Sequence, residues 1–145
     1  MWKNPITYAH MDAYANSKLA NAIYGQYLSR TLDPKNITVV TYAPGFIGDT
    51  GLMNAGLLQP LVKVMVESII WFNSWWNDIP NVISTLERSC NFICRLATED
   101  EYVKDTGRYY SIDHIGEANP DAYDISKQDQ LVAFSLRLIN EAGFD

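Results

Sequence analysis

The stretch YANSKLAN, residues 14–21, holds a phenol and an ammonium four residues apart in an alanine-rich segment that is typical of a helix. Tyr14 and Lys18 therefore lie on one face of that helix, one turn apart. An adjacent ammonium favours the phenolate, and a phenol held in this way can give or take a proton in carbonyl–alcohol chemistry. The same spacing also suits a Tyr ring packed on an aliphatic Lys stem, so the pair alone leaves a structural alternative open.

The residues that follow this helix extend the pattern along the chain. A β-branched run at 37–41 leads into Tyr42-Ala43-Pro44-Gly45, then into FIGDTGL at 46–52 and later GRYYS at 107–111. This order resembles the C-terminal half of the short-chain dehydrogenases/reductases, a family in which a Y-x-x-x-K helix precedes a parallel strand ending in Pro-Gly. It is similar in particular to the retinol-dehydrogenase-like members and to the light-dependent protochlorophyllide reductases.

The resemblance implies an α/β fold, namely the helix-rich C-terminal part of a doubly wound parallel-sheet (Rossmann-like) domain over residues 1–145. The Gly-rich G-x-x-x-G-x-G turn that binds the pyrophosphate does not occur in the sequence. The Asn-Asn-Ala-Gly-type strand and the family's catalytic Ser upstream of Tyr14 do not occur either. We therefore expect the first nucleotide-binding half to be absent and the chain to be a fragment that is inactive alone. A non-catalytic remnant that acts as a binding or oligomerisation partner is the alternative.

The same resemblance implies the chemistry of the site. Tyr14 is expected to be the proton donor or acceptor at the substrate oxygen, and Lys18 to bind the nicotinamide ribose. Hydride passes between the nicotinamide and carbon, with NADP as the expected cofactor and NAD as the alternative. No metal is expected. The expected cofactor contacts are Tyr14, Lys18, Pro44, Gly45, Ile47 and Thr50.

Composition limits the classes of partner. The chain has 145 residues, of which 48% are hydrophobic and 19% are charged, as in globular proteins. Its formal net charge of −6 argues against nucleic acid, because phosphate binding needs a basic face. The sequence shows no signal peptide, so we expect a cytoplasmic or membrane-peripheral protein. An unpaired strand edge in a half-fold also favours a homo-oligomer.

The segment Leu57–Trp76 is the most apolar of the chain. Pro60, Lys63 and Glu67 interrupt it, and each buried charge costs about 2.5–3.5 kcal/mol on insertion scales, which argues against a membrane span. We expect this segment to form a lid over the substrate, a small molecule that is apolar and bulky. Peripheral contact with a membrane through Trp71–Trp76 is the alternative.

Periodicity and breakers predict three helices, over 12–31, 80–98 and 126–142, and strands over 37–42 and 107–112. Asp12 is the expected N-cap of the first helix. The middle helix has a predicted inner face that includes Val82, Ile83, Leu86, Cys90, Ile93, Cys94 and Ala97. The inner face predicted for the last helix consists of Leu131, Phe134, Leu138 and Ile139.

Cys90 and Cys94 lie four residues apart on the predicted middle helix. Two thiolates without a nearby His, Cys or carboxylate form a poor zinc site. We therefore expect core thiols, since free Cys is among the residues most often buried.

Overall fold

The structure of the chain, a computed structural model, describes residues 10–47 and 83–143. These residues form two compact units. Unit 1 contains 10–41, 103–109 and 116–143, and unit 2 contains 42–47, 83–102 and 110–115. Thr50, the Leu57–Trp76 segment and Pro80 lie outside the described residues. Among the helices described, none is long and apolar enough to cross a membrane.

The first helix, α1, spans His10–Thr31. The prediction that Asp12 caps it was wrong, because the helix begins two residues earlier and Asp12 lies in its first turn. An acidic residue is favourable there, since the backbone N–H groups of the first turn carry partial positive charge. After the helix, the Asp33 carboxylate accepts hydrogen bonds from the Lys35 N–H at 3.0 Å and from the Asn36 side chain at 3.0 Å.

Strand β1 spans only Thr41–Ala43, so the predicted strand over 37–42 was too long at its start. The preceding residues bond to the segment at 103–107 through both side-chain and backbone groups. Thr38 Oγ1 donates to the Val103 carbonyl at 2.5 Å, and the Val39 N–H donates to Thr106 Oγ1 at 2.9 Å. The Val39 carbonyl also accepts a hydrogen bond from the Gly107 N–H at 2.7 Å, so this part of the chain is held next to residues 103–107 ahead of the strand.

Strands β4 (Tyr109–Ser111) and β5 (His114–Gly116) form a hairpin across a two-residue turn, which makes them antiparallel. The sheet order is β1-β4-β5. Strands β1 and β4 are parallel. The Thr41 N–H donates to the Arg108 carbonyl and, further along both strands, the Ile112 N–H donates to the Ala43 carbonyl. The sheet is therefore mixed, and it is compatible with part of a Rossmann-like α/β fold.

Strands β2 (Phe46–Ile47) and β3 (Ile83–Ser84) pair in parallel and lead into helix α2, which spans Leu86–Thr98. The helix predicted over 80–98 was therefore wrong at its start, because Ile83 belongs to a strand. Thr85 is the N-cap, and its Oγ1 accepts a hydrogen bond from the Arg88 N–H at 3.2 Å. A short 3₁₀ helix, Asp100–Tyr102, follows.

The predicted inner face of the middle helix is wrong. The buried residues of α2 are Ser89 and Phe92, whereas Cys90 and Cys94 are exposed. At ~100° per residue, Cys90 and Cys94 lie about 100° and 140° from Ser89 around the helix. Polar Ser89 is buried because its hydroxyl has partners in the interior, described below. The two thiols are therefore surface groups.

Helix α3 spans Ile125–Glu141 after a 3₁₀ helix at Pro120–Tyr123. Asp124 caps it, and its carboxylate accepts hydrogen bonds from the N–H groups of Ser126 and Lys127. Of the predicted inner face, Leu131 packs against the core of unit 1. Leu138 and Ile139 are 46% and 45% exposed, because the last turns of the helix extend past that core.

The core of unit 1 forms where α1 meets the second 3₁₀ helix and α3. Ala22, Ile23 and Ala122 are buried together, and Leu19 and Leu131 pack around them. Small side chains at the centre allow the helices to approach closely. This contact fixes the orientation of α1 in its unit.

Candidate functional site

Tyr14 and Lys18 lie side by side on the first half of α1. The Lys18 ammonium is 5.5 Å from the centroid of the Tyr14 ring. Tyr14 is 48% exposed, and Lys18 is exposed as well. Ser17 Oγ donates a hydrogen bond to the Tyr14 carbonyl at 2.8 Å, so the Ser17 hydroxyl is bonded to the backbone of its own helix. The helix therefore presents a cation and a phenol together at an accessible surface.

The second half of the same helix face is fixed against other parts of unit 1. Gly25 lies about 20° from Tyr14 around the helix at ~100° per residue. A Cβ at Gly25 would lie 2.5 Å from Thr41 Oγ1, so the absence of a side chain permits this approach to the start of β1. Next to it, Gln26 Nε2 donates to the Gly107 carbonyl at 2.8 Å. This face of α1 therefore contacts the rest of unit 1 near Gly25 and is exposed to solvent at Tyr14.

The opposite face of α1 lines a groove shared with α3. Ile23 lies about 180° from Tyr14 at ~100° per residue. The groove encloses about 1080 Å³. Its apolar lining includes Leu19, Ile23, Leu131 and Phe134. Neither Tyr14 nor Lys18 lines it, so the packing face and the Tyr/Lys face of α1 are separate.

In unit 2, the residues Pro44 and Gly45 form an exposed turn between β1 and β2. Gly45 has φ of 74°, a conformation that favours glycine. The turn is fixed from within by Ser89 of α2, whose hydroxyl donates to the Pro44 carbonyl at 3.2 Å and lies 2.9 Å from Ser84 Oγ. Ser89 is only 2% exposed.

Ser89 is a residue that the sequence analysis missed. Its signal in the sequence was a hydroxyl three residues before Phe92, on the helix that follows the Pro-Gly strand. Residues three apart share a helix face, so the pair marks the buried side of α2 once Phe92 is placed inside. The apolar residues at helical spacing on the neighbouring face gave a stronger pattern, and they were therefore predicted to be the buried face in place of Ser89.

An aromatic cluster supports the same turn. The Phe92 ring lies 5.7 Å from Tyr42, 6.0 Å from Tyr102 and 5.5 Å from Tyr110, with tilted or edge-to-face geometry. Such contacts contribute about 0.5–1.5 kcal/mol each beyond the area that they bury. The Tyr42 hydroxyl also donates to the Ser89 carbonyl at 3.5 Å. The backbone entering Pro44 is therefore anchored by packing and by hydrogen bonds.

A charged network surrounds the C-terminal end of α2. Arg95 bonds Glu99 at 3.0 Å and Glu101 at 2.8 Å. A hydrogen bond with the Tyr102 hydroxyl lowers the pKa of Glu101, and the Arg95 charge acts in the same direction. The same hydrogen bond raises the pKa of Tyr102. This network lies on the surface of unit 2 and stabilises the end of its helix.

The predicted site residues fall into two sets. Tyr14 and Lys18 adjoin in unit 1, whereas Pro44, Gly45 and Ile47 lie on one turn and strand of unit 2. Thr50, also predicted to contact the cofactor, lies outside the described residues. Within 10–47 and 83–143, no group of three His, Cys, Asp or Glu side chains is placed to hold a metal ion.

Comparison with known proteins places similarity along nearly the whole chain. The chain is 28% identical over 138 residues to the short-chain dehydrogenase TIC 32 A, chloroplastic, of Brassica napus, and 28% identical over 139 residues to TIC 32 B of the same plant. Each match covers 94% of this chain but only 39% of the relative's length. The chain matches no protein-family model. The similarity supports the short-chain dehydrogenase/reductase family and an oxidoreductase class at the coarse level.

Proposed function

We propose that this chain carries the proton-transfer part of an NAD(P)-dependent oxidoreductase that interconverts a carbonyl and an alcohol. The observation that carries the proposal is the pairing of Tyr14 and Lys18, with the ammonium 5.5 Å from the ring centroid at an open helix surface. The similarity to short-chain dehydrogenases along 94% of the chain supports it.

Tyr14 is the proposed proton donor in reduction and acceptor in oxidation. Tyr14 is 48% exposed, so a substrate can approach its side chain from solvent. Lys18 is the proposed partner of Tyr14, because its ammonium lies 5.5 Å from the centroid of the Tyr14 ring. Its three ammonium protons are also suited to the hydroxyl groups of a ribose.

The Pro44–Gly45 turn is the proposed surface for the nicotinamide. Both residues are exposed, and Gly45 has no side chain that would block approach to the backbone. Ile47 and Thr50 complete the proposed contacts. When bound, the cofactor supplies or accepts the hydride, and the residues of this chain orient the reactants and move the proton. We favour NADP over NAD and a bulky apolar substrate of the kind used by retinol-dehydrogenase-like enzymes.

The chain spans 39% of the length of the relatives that it matches, so the activity of a whole enzyme is tested in a chimera. The chimera is TIC 32 A with its matched segment replaced by residues 1–145 of this chain. We expect NADPH-dependent carbonyl reduction in the chimera, measured against the unmodified relative as the positive reference. We also expect no reduction by the 145-residue chain alone.

Two substitutions assign the roles. Tyr14→Phe is expected to lower the turnover of the chimera by about 10²–10⁴-fold, the usual contribution of a general acid or base. Tyr24→Phe is the matched control, since Tyr24 lies on the same helix and is also 48% exposed. Lys18→Met tests the cation, with Lys35→Met as its exposed control. A folded chimera that binds NADPH but reduces no carbonyl, or a Tyr14→Phe variant with full turnover, would refute the proposal.

A non-catalytic binding protein is the second candidate. It is favoured by the exposure of apolar residues on α2, where Leu86 and Ile93 are 53% and 48% exposed. Such a protein would give an inactive chimera whatever residue stands at position 14. The Tyr14→Phe comparison therefore separates the two functions.

A further inference from the structure

Helix α2 exposes both cysteines of the chain on one side. Cys90 and Cys94 are free thiols at the surface, and the buried residues of the helix lie on another side. The neighbouring Leu86 and Ile93 are 53% and 48% exposed, so two apolar side chains lie at the surface beside the thiols. Nothing in the proposed oxidoreductase chemistry uses them.

The spacing of the two thiols suits a bridge by one intervening atom. Residues four apart on a helix have Cβ atoms about 5–6 Å apart, whereas a disulfide needs about 3.8 Å. A direct bond between Cys90 and Cys94 would therefore distort the helix. An atom bonded to both sulfurs over about 2.3 Å each, the length of a typical metal–thiolate bond, adds the missing separation.

We propose that Cys90 and Cys94 form a chelating dithiol site for a soft, thiophilic centre of low coordination number, such as Cu(I) or trivalent arsenic. Thiolates select soft centres over hard ones. Zinc is a poor occupant because structural zinc takes four ligands, and the described residues offer no group of three metal-binding side chains. The exposed side chains of Leu86 and Ile93 beside the thiols favour a centre that carries a hydrophobic substituent.

Phenylarsine oxide is the probe. Each of the two thiols loses its proton and forms one As–S bond, the oxygen of the probe leaves as water with those two protons, and arsenic remains trivalent. A chelate therefore consumes two thiols for one probe molecule. A probe bound through a single sulfur consumes one thiol and is displaced by an excess of a monothiol such as glutathione.

The experiment treats the reduced 145-residue chain with one equivalent of phenylarsine oxide, followed by excess glutathione. Intact mass and the count of free thiols are then measured. We expect one adduct and no remaining protein thiol, with the adduct lost in Cys90→Ser and in Cys94→Ser. An adduct that leaves one protein thiol free, or one that glutathione removes, would overturn the proposal.

A spacing control keeps the number of thiols constant. Glu87→Cys combined with Cys90→Ser places the thiols at 87 and 94, about 10.5 Å apart along the axis at 1.5 Å per residue. Glu87 is exposed on α2, so the exchange leaves the interior unchanged. We expect this variant to lose the glutathione-resistant adduct, with helix content checked by circular dichroism. An adduct as resistant as that of the unsubstituted chain would refute chelation at the native spacing.

Discussion

The hydroxyl of Ser89 is predicted to stabilise the Pro44–Gly45 turn, and Ser89→Ala tests this. The substitution removes the donor to the Pro44 carbonyl at 3.2 Å and the partner of Ser84 Oγ at 2.9 Å. Loss of one partner from a buried hydrogen bond costs about 1–3 kcal/mol. The better helix propensity of Ala returns at most about 0.7 kcal/mol. We expect the free energy of unfolding to fall by about 1–2 kcal/mol.

The assay is urea unfolding followed by far-UV circular dichroism, with a thermal scan in parallel. For a chain of this size, about 1–2 kcal/mol corresponds to a fall in Tm of about 2–8 °C. Ser135→Ala is the matched control, because Ser135 Oγ donates to the Leu131 carbonyl at 2.8 Å on the exposed side of α3. That control removes a helix serine and a hydrogen bond without opening an interior. If Ser89→Ala is as stable as Ser135→Ala, the buried hydroxyl does not hold the turn.

Two further predictions concern backbone conformation and pH. Gly107→Ala should lower the free energy of unfolding by about 1–2 kcal/mol, because φ is 81° and a Cβ would lie 3.3 Å from Ser29 Oγ. Gly143→Ala, with φ of 73° and nothing within 4 Å of the added Cβ, should cost less, and equal shifts in the urea midpoint would contradict this. The pKa of Glu101 is lowered in the folded chain, so the Glu101 carboxylate stabilises the fold at any pH above the ordinary pKa of a Glu. This stabilisation is lost as the pH falls through the lowered pKa. Glu101→Gln should therefore flatten the dependence of Tm on pH in the acid range, and parallel curves for the two proteins would refute this.

The sequence predicted those parts of the fold that local signals determine. The end of α1 at Thr31 follows from Asp33-Pro34, since proline cannot continue the helical hydrogen bonds. The end of β1 before Pro44-Gly45 follows from these two residues, of which Gly45 adopts a φ of 74° that favours glycine. The adjacency of Tyr14 and Lys18 follows from helix geometry alone. In each case the cause lies within a few residues of the effect.

Interactions between distant segments explain the errors. The apolar stripe of α2 was predicted to face inward, but Ser89 is buried because a carbonyl 45 residues earlier needs a donor. Strand β1 begins late because Thr38 and Val39 bond to Val103 and Thr106, more than 60 residues away. Periodicity records which residues are apolar. It does not record which polar groups elsewhere need a partner.

The two faces of α1 have a consequence for how such a chain can diverge. Leu19 and Ile23 face the α3 side, so changes in their volume can be compensated by changes in Leu131 without altering the surface that bears Tyr14 and Lys18. The packing of α1 against α3 can therefore change in evolution while Tyr14 and Lys18 keep their place on the opposite face of the helix.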